Sequence, residues 1–152
     1  MTKVLAIDQS LLSSGWAVLT EHELIDRGKI KSGYKEDFRN IQKQLEALVD
    51  VYEAHKPDVV ILEQTTYQRN ADTFRKLSKL LGVLELFFYQ QGVPTVIYYP
   101  STWRSKVKIK GKKRAEQKLE AKKRVREDYQ INASEDESEA ILLGLAYLET
   151  NQ

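Results

Sequence analysis

Four carboxylates carry most of the chemistry this sequence can do: Asp8, Glu63, Asp136 and Glu139. The first two each close an apolar run, Val4-Leu5-Ala6-Ile7-Asp8 and Val59-Val60-Ile61-Leu62-Glu63. Short unbroken apolar runs of this kind mark strands buried on both faces. Burying an ionised carboxylate at the mouth of such a strand is costly unless something compensates its charge. Asp136 and Glu139 stand three residues apart just after Ser134. Ser134 and Glu137 have the spacing of a capping box, so the two acids share a face at the start of a helix. If the two strands are neighbours, Asp8 and Glu63 lie side by side at one sheet edge, and a helix start placed there completes an all-oxygen cluster. Hard cations such as Mg²⁺ or Mn²⁺ favour such ligands, with waters and a substrate phosphate filling the other positions. Two such ions, about 3.5 to 4 Å apart, can activate a water and stabilise the leaving oxygen in phosphodiester hydrolysis.

Each acid also has a plain structural explanation. Asp136 and Glu139 would favour a helix N-terminus through its dipole, worth about 0.3 to 1 kcal/mol each. Asp8 would cap the turn that follows it, and Glu63 would pair with a lysine. The four together, at the ends of separate elements, favour the metal reading.

The second chemical feature is basic. Between Trp103 and Arg126 there are twelve Lys/Arg and two Glu, although the chain as a whole carries only +2. Half of the positive charge therefore sits in one segment, which points to a polyanionic partner. Its first half contains Arg104, Lys106, Lys108, Lys110, Lys112, Lys113 and Arg114, with Lys118 following. Val107 and Ile109 alternate with the lysines, which predicts a short strand or extended loop, and Gly111 lets backbone approach a phosphate. The ordinary alternative for such a run is a solvated helix face. Contact with a nucleic-acid backbone fits better and would be salt-sensitive. Tyr67 and Arg69, just after Glu63, offer an aromatic and a cation that could stack on exposed bases at a branch point. An ordinary surface tyrosine is the competing reading.

The elements that must position these groups follow from periodicity. The 152 residues fit one domain, 1–152. The lack of cysteine excludes disulfides, thiolate metal sites and a cysteine nucleophile. The first strand starts directly after Met1-Thr2-Lys3, which leaves no room for a signal peptide, and no apolar stretch is long enough to span a bilayer. A soluble, cytoplasmic protein is expected. Strands are predicted at Val4–Asp8, Trp16–Thr20 and Leu24–Ile30 as an antiparallel meander, then at Asp58–Glu63 and Thr95–Tyr99. Helical stripes run from Asp37 to the stop at Pro57, from Asn70 to Gln91, from about Arg114, and from Ser134 to Leu148. This is one mixed α/β domain. Leu80, Val83 and Phe87 widen the apolar face of the second helix, which predicts either a deeply buried helix or a dimer interface.

With these residues in place, the chain resembles the RuvC-type Holliday junction resolvases, members of the RNase H-like nucleases. Val4-Leu5-Ala6-Ile7-Asp8 with Ser14-Gly15-Trp16 is similar to the family's first motif, and Leu62-Glu63-Gln64 with Asn70-Ala71-Asp72 and Leu77 to its second. Tyr99-Pro100, the lysine-rich loop, Gly111 and Lys118 resemble its DNA-binding segment. Asp136-Glu137-Ser138-Glu139-Ala140 falls where it places its last acidic pair. The resemblance implies an RNase H-like fold whose five-stranded mixed sheet has three antiparallel strands followed by two parallel ones. It further implies a homodimeric endonuclease that nicks four-way junctions, and other branched DNA, symmetrically with Mg²⁺ or Mn²⁺, two ions per site. Asp8, Glu63, Asp136 and Glu139 would be the metal-binding catalytic set, leaving 5′-phosphate and 3′-hydroxyl ends.

The chain departs from the family pattern in three places. Gln9-Ser10 stands where Pro-Gly commonly follows the first Asp. The last acid is Glu139, with Glu137 and Glu135 as competitors for its role. Thr66, with Tyr67 beside it, occupies the place of an aromatic wedge. Such departures are reminiscent of phage-encoded members. Two other readings remain: a non-catalytic branched-DNA-binding module on the same fold, and an actin-like or Hsp70-like ATPase fragment. The chain is too short for the two lobes of the latter and lacks its glycine-rich phosphate loops.

Overall fold

The computed structural model describes residues 1–151. Five strands, β1 (Val4–Asp8), β2 (Ser13–Leu19), β3 (Leu24–Lys31), β4 (Val59–Glu63) and β5 (Thr95–Tyr98), form one sheet in the order β3-β2-β1-β4-β5. The pairs β1–β2 and β2–β3 are antiparallel, while β1–β4 and β4–β5 are parallel. Helices α1 (Asp37–His55) and α2 (Ala71–Gln91) make the two crossover returns that parallel neighbours require. Three more helices follow: α3 (Pro100–Lys106), α4 (Arg114–Tyr129) and α5 (Glu135–Thr150). None of the described helices is long and apolar enough to cross a membrane.

The apolar runs β1 and β4 are buried on both faces, as their composition requires. Val4, Ala6, Val59 and Ile61 pack with Ala17 and Leu19 beneath α5, alongside Trp103 and Val125. Leu5, Ile7, Val60 and Leu62 point the other way, into a core shared with Leu48 of α1 and Leu80, Leu84 and Phe88 of α2. Strand periodicity thus divides each run between two helical layers. Helix α5 lies close on the sheet at Gly144, where a Cβ would come within 2.6 Å of Leu19 Cδ2 and 3.2 Å of Ala6 Cβ.

Two expectations need correction. The segment after Tyr99 is not a strand or an extended loop throughout: Pro100–Lys106 is helix α3, with Pro100 in its first turn. Proline suits that position, having no N–H to leave unpaired. A turn at Lys108, φ 60, and a loop through Gly111, φ 126, come only afterwards. The alternation of Val107 and Ile109 has a different cause, because both are buried against the α5 layer from the turn that leaves α3. The second correction concerns α2. Leu80 is fully buried within its own protomer and cannot face a partner, whereas Val83 and Phe87 are half-buried. Phe87 packs edge-on against Tyr52 of α1.

Candidate active site

The parallel register pairs Ile7 with Leu62, so the carboxylates of Asp8 and Glu63 emerge next to each other at the C-terminal edge of β1 and β4. This edge is the usual ligand crevice of α/β sheets. The third acid arrives from the far end of the chain. Gly15 pairs with Asp8 across β1–β2, and a Cβ on Gly15 would lie only 2.0 Å from the carbonyl oxygen of Asp136. Only glycine lets the first turn of α5 sit directly on β2. One turn later Glu139 is buried, 2% exposed, facing the strand ends. Asp8, Glu63 and Glu139 each offer a carboxylate oxygen within 4.8 Å of the others.

The other acids of α5 are engaged elsewhere. Glu137 closes the capping box on Ser134, and its Oε2 accepts from Arg27 Nη1 at 2.7 Å. Burial raises its carboxyl, but the hydrogen bonds from Ser134 and Arg27 outweigh this and leave it below its ordinary value. Glu135 faces Lys118 Nζ at 3.8 Å. Asp136 borders the trio without joining it: its Oδ2 accepts from Ser13 Oγ at 2.6 Å.

The charge of the trio is only partly relieved by its neighbours. Burial pushes the Asp8 carboxyl well above its ordinary value; Glu63, Glu139 and Asp136 push it further, against the pull of Arg114. Burial also raises Glu63, opposed by a hydrogen bond from Trp103. Arg114 Nη2 lies 2.9 Å and Arg104 Nη2 3.9 Å from Glu139 Oε2. A divalent ion suits this donor set. Asp8, Glu63 and Glu139 would hold such an ion, with waters and substrate oxygens supplying its remaining ligands.

Two residues support the site in ways the sequence did not show: Trp103, which carried no signal, and Gln9, which stood out only as a departure from Pro-Gly. The indole N–H of Trp103, 1% exposed in α3, donates to Glu63 Oε2 at 2.7 Å. Gln9 donates through Nε2 to the carbonyl of Glu63, and its Oε1 accepts from the Glu63 N–H at 3.2 Å. The Gln9 side chain therefore continues the β1–β4 ladder past its last backbone pair and fixes the Glu63 backbone. A Pro-Gly turn could not supply those bonds.

A family model described as "Crossover junction endodeoxyribonuclease RuvC" matches residues 4–146. The chain belongs to the RuvC family. Curated RuvC proteins named crossover junction endodeoxyribonuclease are similar to it. That of Rhizobium etli is 28% identical over 65% of this chain and 62% of the relative. That of Halorhodospira halophila is 30% identical over 76% and 71%. Against the first two relatives, from R. etli and Nitratidesulfovibrio vulgaris, the chain spans only 62% and 61% of their length. Among solved structures, Thermus thermophilus RuvC in complex with a Holliday junction substrate superimposes with a TM-score of 0.79 at 17% identity, covering 98% of this chain and 96% of that one. Fowlpox virus resolvase in complex with Holliday junction DNA gives 0.65 at 18% identity, covering 97% of both chains. The fold is the RNase H-like fold of these resolvases.

On this RuvC scaffold an open groove runs from the acidic trio, lined by Gln9, Glu63, Thr66, Arg69, Arg104 and Arg114 among others. Arg69 and Thr66 thus line the same groove as Glu63. Tyr67 is exposed and props edge-on against Phe74, ring centroids 5.7 Å apart, at the groove wall. Lys108, Lys110, Lys112 and Lys113 are exposed on the loop before α4. The end of α3 is tied to α4 where Arg124 Nη1 donates to the carbonyl of Val107 at 2.8 Å. Lys118 lies near Glu135. Lys106 lies elsewhere: its ammonium donates to Thr150 at the far end of α5, away from the trio.

Proposed function

We propose that this chain is a metal-dependent, structure-selective DNA endonuclease that resolves four-way junctions, and other branched DNA, by symmetric phosphodiester hydrolysis. The observation that carries this reading is the convergence of Asp8, Glu63 and Glu139 at adjacent strand ends, in a member of the RuvC family. Asp8, Glu63 and Glu139 hold Mg²⁺ or Mn²⁺, with Asp136 beside them for a second ion. The metal supplies Lewis acidity at the scissile phosphate and lowers the pKa of a water nucleophile. The protein's own residues do the positioning. Trp103 and Gln9 hold the Glu63 side chain and backbone, and Ser13 holds Asp136. Arg69 and the loop lysines 108, 110, 112 and 113 contact phosphates, fixing register without reading sequence. Thr66 and Tyr67 face the strand exchange point, where the Tyr67 ring offers a stacking platform.

Two symmetric nicks need two sites, and we propose a homodimer built on the outer face of α2, where Leu86 and Tyr89 are exposed beside half-buried Val83 and Phe87. The described residues work as one nuclease domain in the cytoplasm. Asp8→Asn tests the central claim. It should bind a four-way junction with near-native affinity and leave it uncut in Mg²⁺ or Mn²⁺, while wild type cuts. Cleavage by the variant would remove Asp8 from the catalytic set, and tight binding without cleavage by wild type would leave a binding module instead.

A further inference from the structure

Two guanidinium groups sit on the buried acid of the trio. Arg114 donates to Glu139 Oε2 at 2.9 Å and Arg104 stands 3.9 Å from the same oxygen. They differ in how they are held. The Arg104 side chain is 13% exposed, within α3 beside Trp103, whose ring it covers at 5.0 Å. The Arg114 side chain is 46% exposed. It opens α4, just after the loop that carries Lys108 and Gly111 at positive φ. Both arginines line the open groove, so the difference lies in how firmly each is held. Arg114 is thus the one of the two that can leave Glu139 without disturbing a packed core.

We propose that Arg114 is an exchangeable counter-cation. It occupies the Glu139 carboxylate until DNA enters the groove, and it competes there with the divalent metal. The reasoning is electrostatic. A guanidinium hydrogen-bonded to one of three clustered carboxylates removes part of the negative charge a divalent ion requires, and it repels the ion directly. A DNA phosphate in the open groove offers Arg114 a bidentate partner that it does not share with a second arginine, whereas the Glu139 oxygen is shared with Arg104. A backbone phosphate entering beside Arg69 draws Arg114 away and leaves Glu139 free for metal. Metal loading and DNA binding are therefore coupled, each raising affinity for the other by the same factor. In the metal-free, DNA-free protein the guanidinium offsets part of the trio's charge and so resists loading. This proposal rests on the junction-nuclease reading above for the identity of the polyanion, but its first test needs no DNA.

The measurement is the affinity of the DNA-free full chain for Mn²⁺ alone, followed by electron paramagnetic resonance of free Mn²⁺. Arg114→Gln should bind Mn²⁺ about tenfold more tightly than wild type, within the usual range of such couplings. Arg114→Lys keeps the charge and should stay near wild type. Lys123→Gln removes a positive charge from an exposed position further along α4 and should also leave the affinity unchanged. A Kd for Arg114→Gln equal to or weaker than that of wild type, equal tightening by Lys123→Gln, or no Mn²⁺ binding by either protein overturns the proposal. In the second arm, saturating linear duplex DNA at low salt, which a junction-selective nuclease binds without cutting, should tighten Mn²⁺ binding in wild type and much less in Arg114→Gln. An equal gain in both would overturn the coupling. Junction cutting by wild type with unchanged Mn²⁺ affinities would refute the exchange and leave the nuclease reading standing.

Discussion

The indole nitrogen of Trp103 lies 2.7 Å from Glu63 Oε2, joining a helix of the basic segment to a carboxylate of the acidic trio. Trp103 is buried, so this hydrogen bond forms in a low-dielectric setting and fixes one oxygen of Glu63 while leaving the other free to ligate. Bonds of this kind to metal-ligating carboxylates are worth about 10- to 100-fold in metal affinity or activity. Trp103→Phe keeps most of the ring volume and removes the donor. It should weaken Mn²⁺ binding and junction cleavage by about that range, with near-wild-type melting temperature; Mn²⁺ titration and single-turnover cleavage measure the first two. Unchanged metal affinity would make Trp103 a packing residue only.

Gly15 sets the approach of α5 to the sheet. A Cβ there would meet the Asp136 carbonyl at 2.0 Å, which backbone cannot relieve without moving the helix start. Gly15→Ala should cost about 1 to 3 kcal/mol of stability, the usual penalty of overpacking, and should misplace Glu139 enough to abolish cleavage. Gly33, which has no neighbour within 4 Å of an added Cβ, is the control: Gly33→Ala should stay within about 0.5 kcal/mol of wild type. Denaturant melts of the two variants separate the cases.

Metal-free protein should lose stability as pH rises. Burial, then the neighbouring Glu63 and Glu139 carboxylates, holds the Asp8 carboxyl above its ordinary value in the folded state. Above the ordinary carboxylate range the unfolded chain has released this proton while the native chain retains it, so raising pH favours unfolding through that window. Asp8→Asn removes the buried charge and should raise the melting temperature in EDTA at neutral pH. It should also flatten the pH dependence. Scanning calorimetry at several pH values reads both, and an Asp8→Asn variant less stable than wild type at neutral pH would contradict the assignment of an only partly relieved charge cluster. Wild type with Mn²⁺ should recover stability in proportion to metal binding.

Junction binding should depend steeply on salt, and the loop lysines should account for part of the slope. Lys110 and Lys112 are exposed. Replacing each with Gln should lower the slope of log Kd against log salt by about one for every phosphate no longer neutralised. Affinity should fall similarly for junctions of different sequence, because phosphate contacts carry no base information. Lys106→Gln should leave the slope unchanged, since its ammonium is taken up by Thr150.

The sheet, its two doubly buried strands and the capped start of α5 were all present in local sequence, because strand burial and helix capping are written in patterns a few residues long. Asp8 and Glu63 could be named from the same patterns, being the polar ends of runs that cannot otherwise be exposed. Helix α3 is hidden in the sequence by Val107 and Ile109, whose alternation with lysines imitates a strand. Pro100 and the four-residue spacing of Trp103 and Val107 are the signals of a helix start there. What local sequence could not supply is distance between remote segments. Arg27 reaches Glu137 only because β3 passes beside α5, and that contact, added to the local capping box, holds Glu137 away from the acidic trio that Glu139 joins. Trp103, Gln9 and Arg114 likewise acquire their roles from partners on other elements. The residue types alone set the chemistry available to this chain. Which of them meet was decided by the packing of α3, α4 and α5 over one edge of the sheet, where burial makes every charge seek a partner.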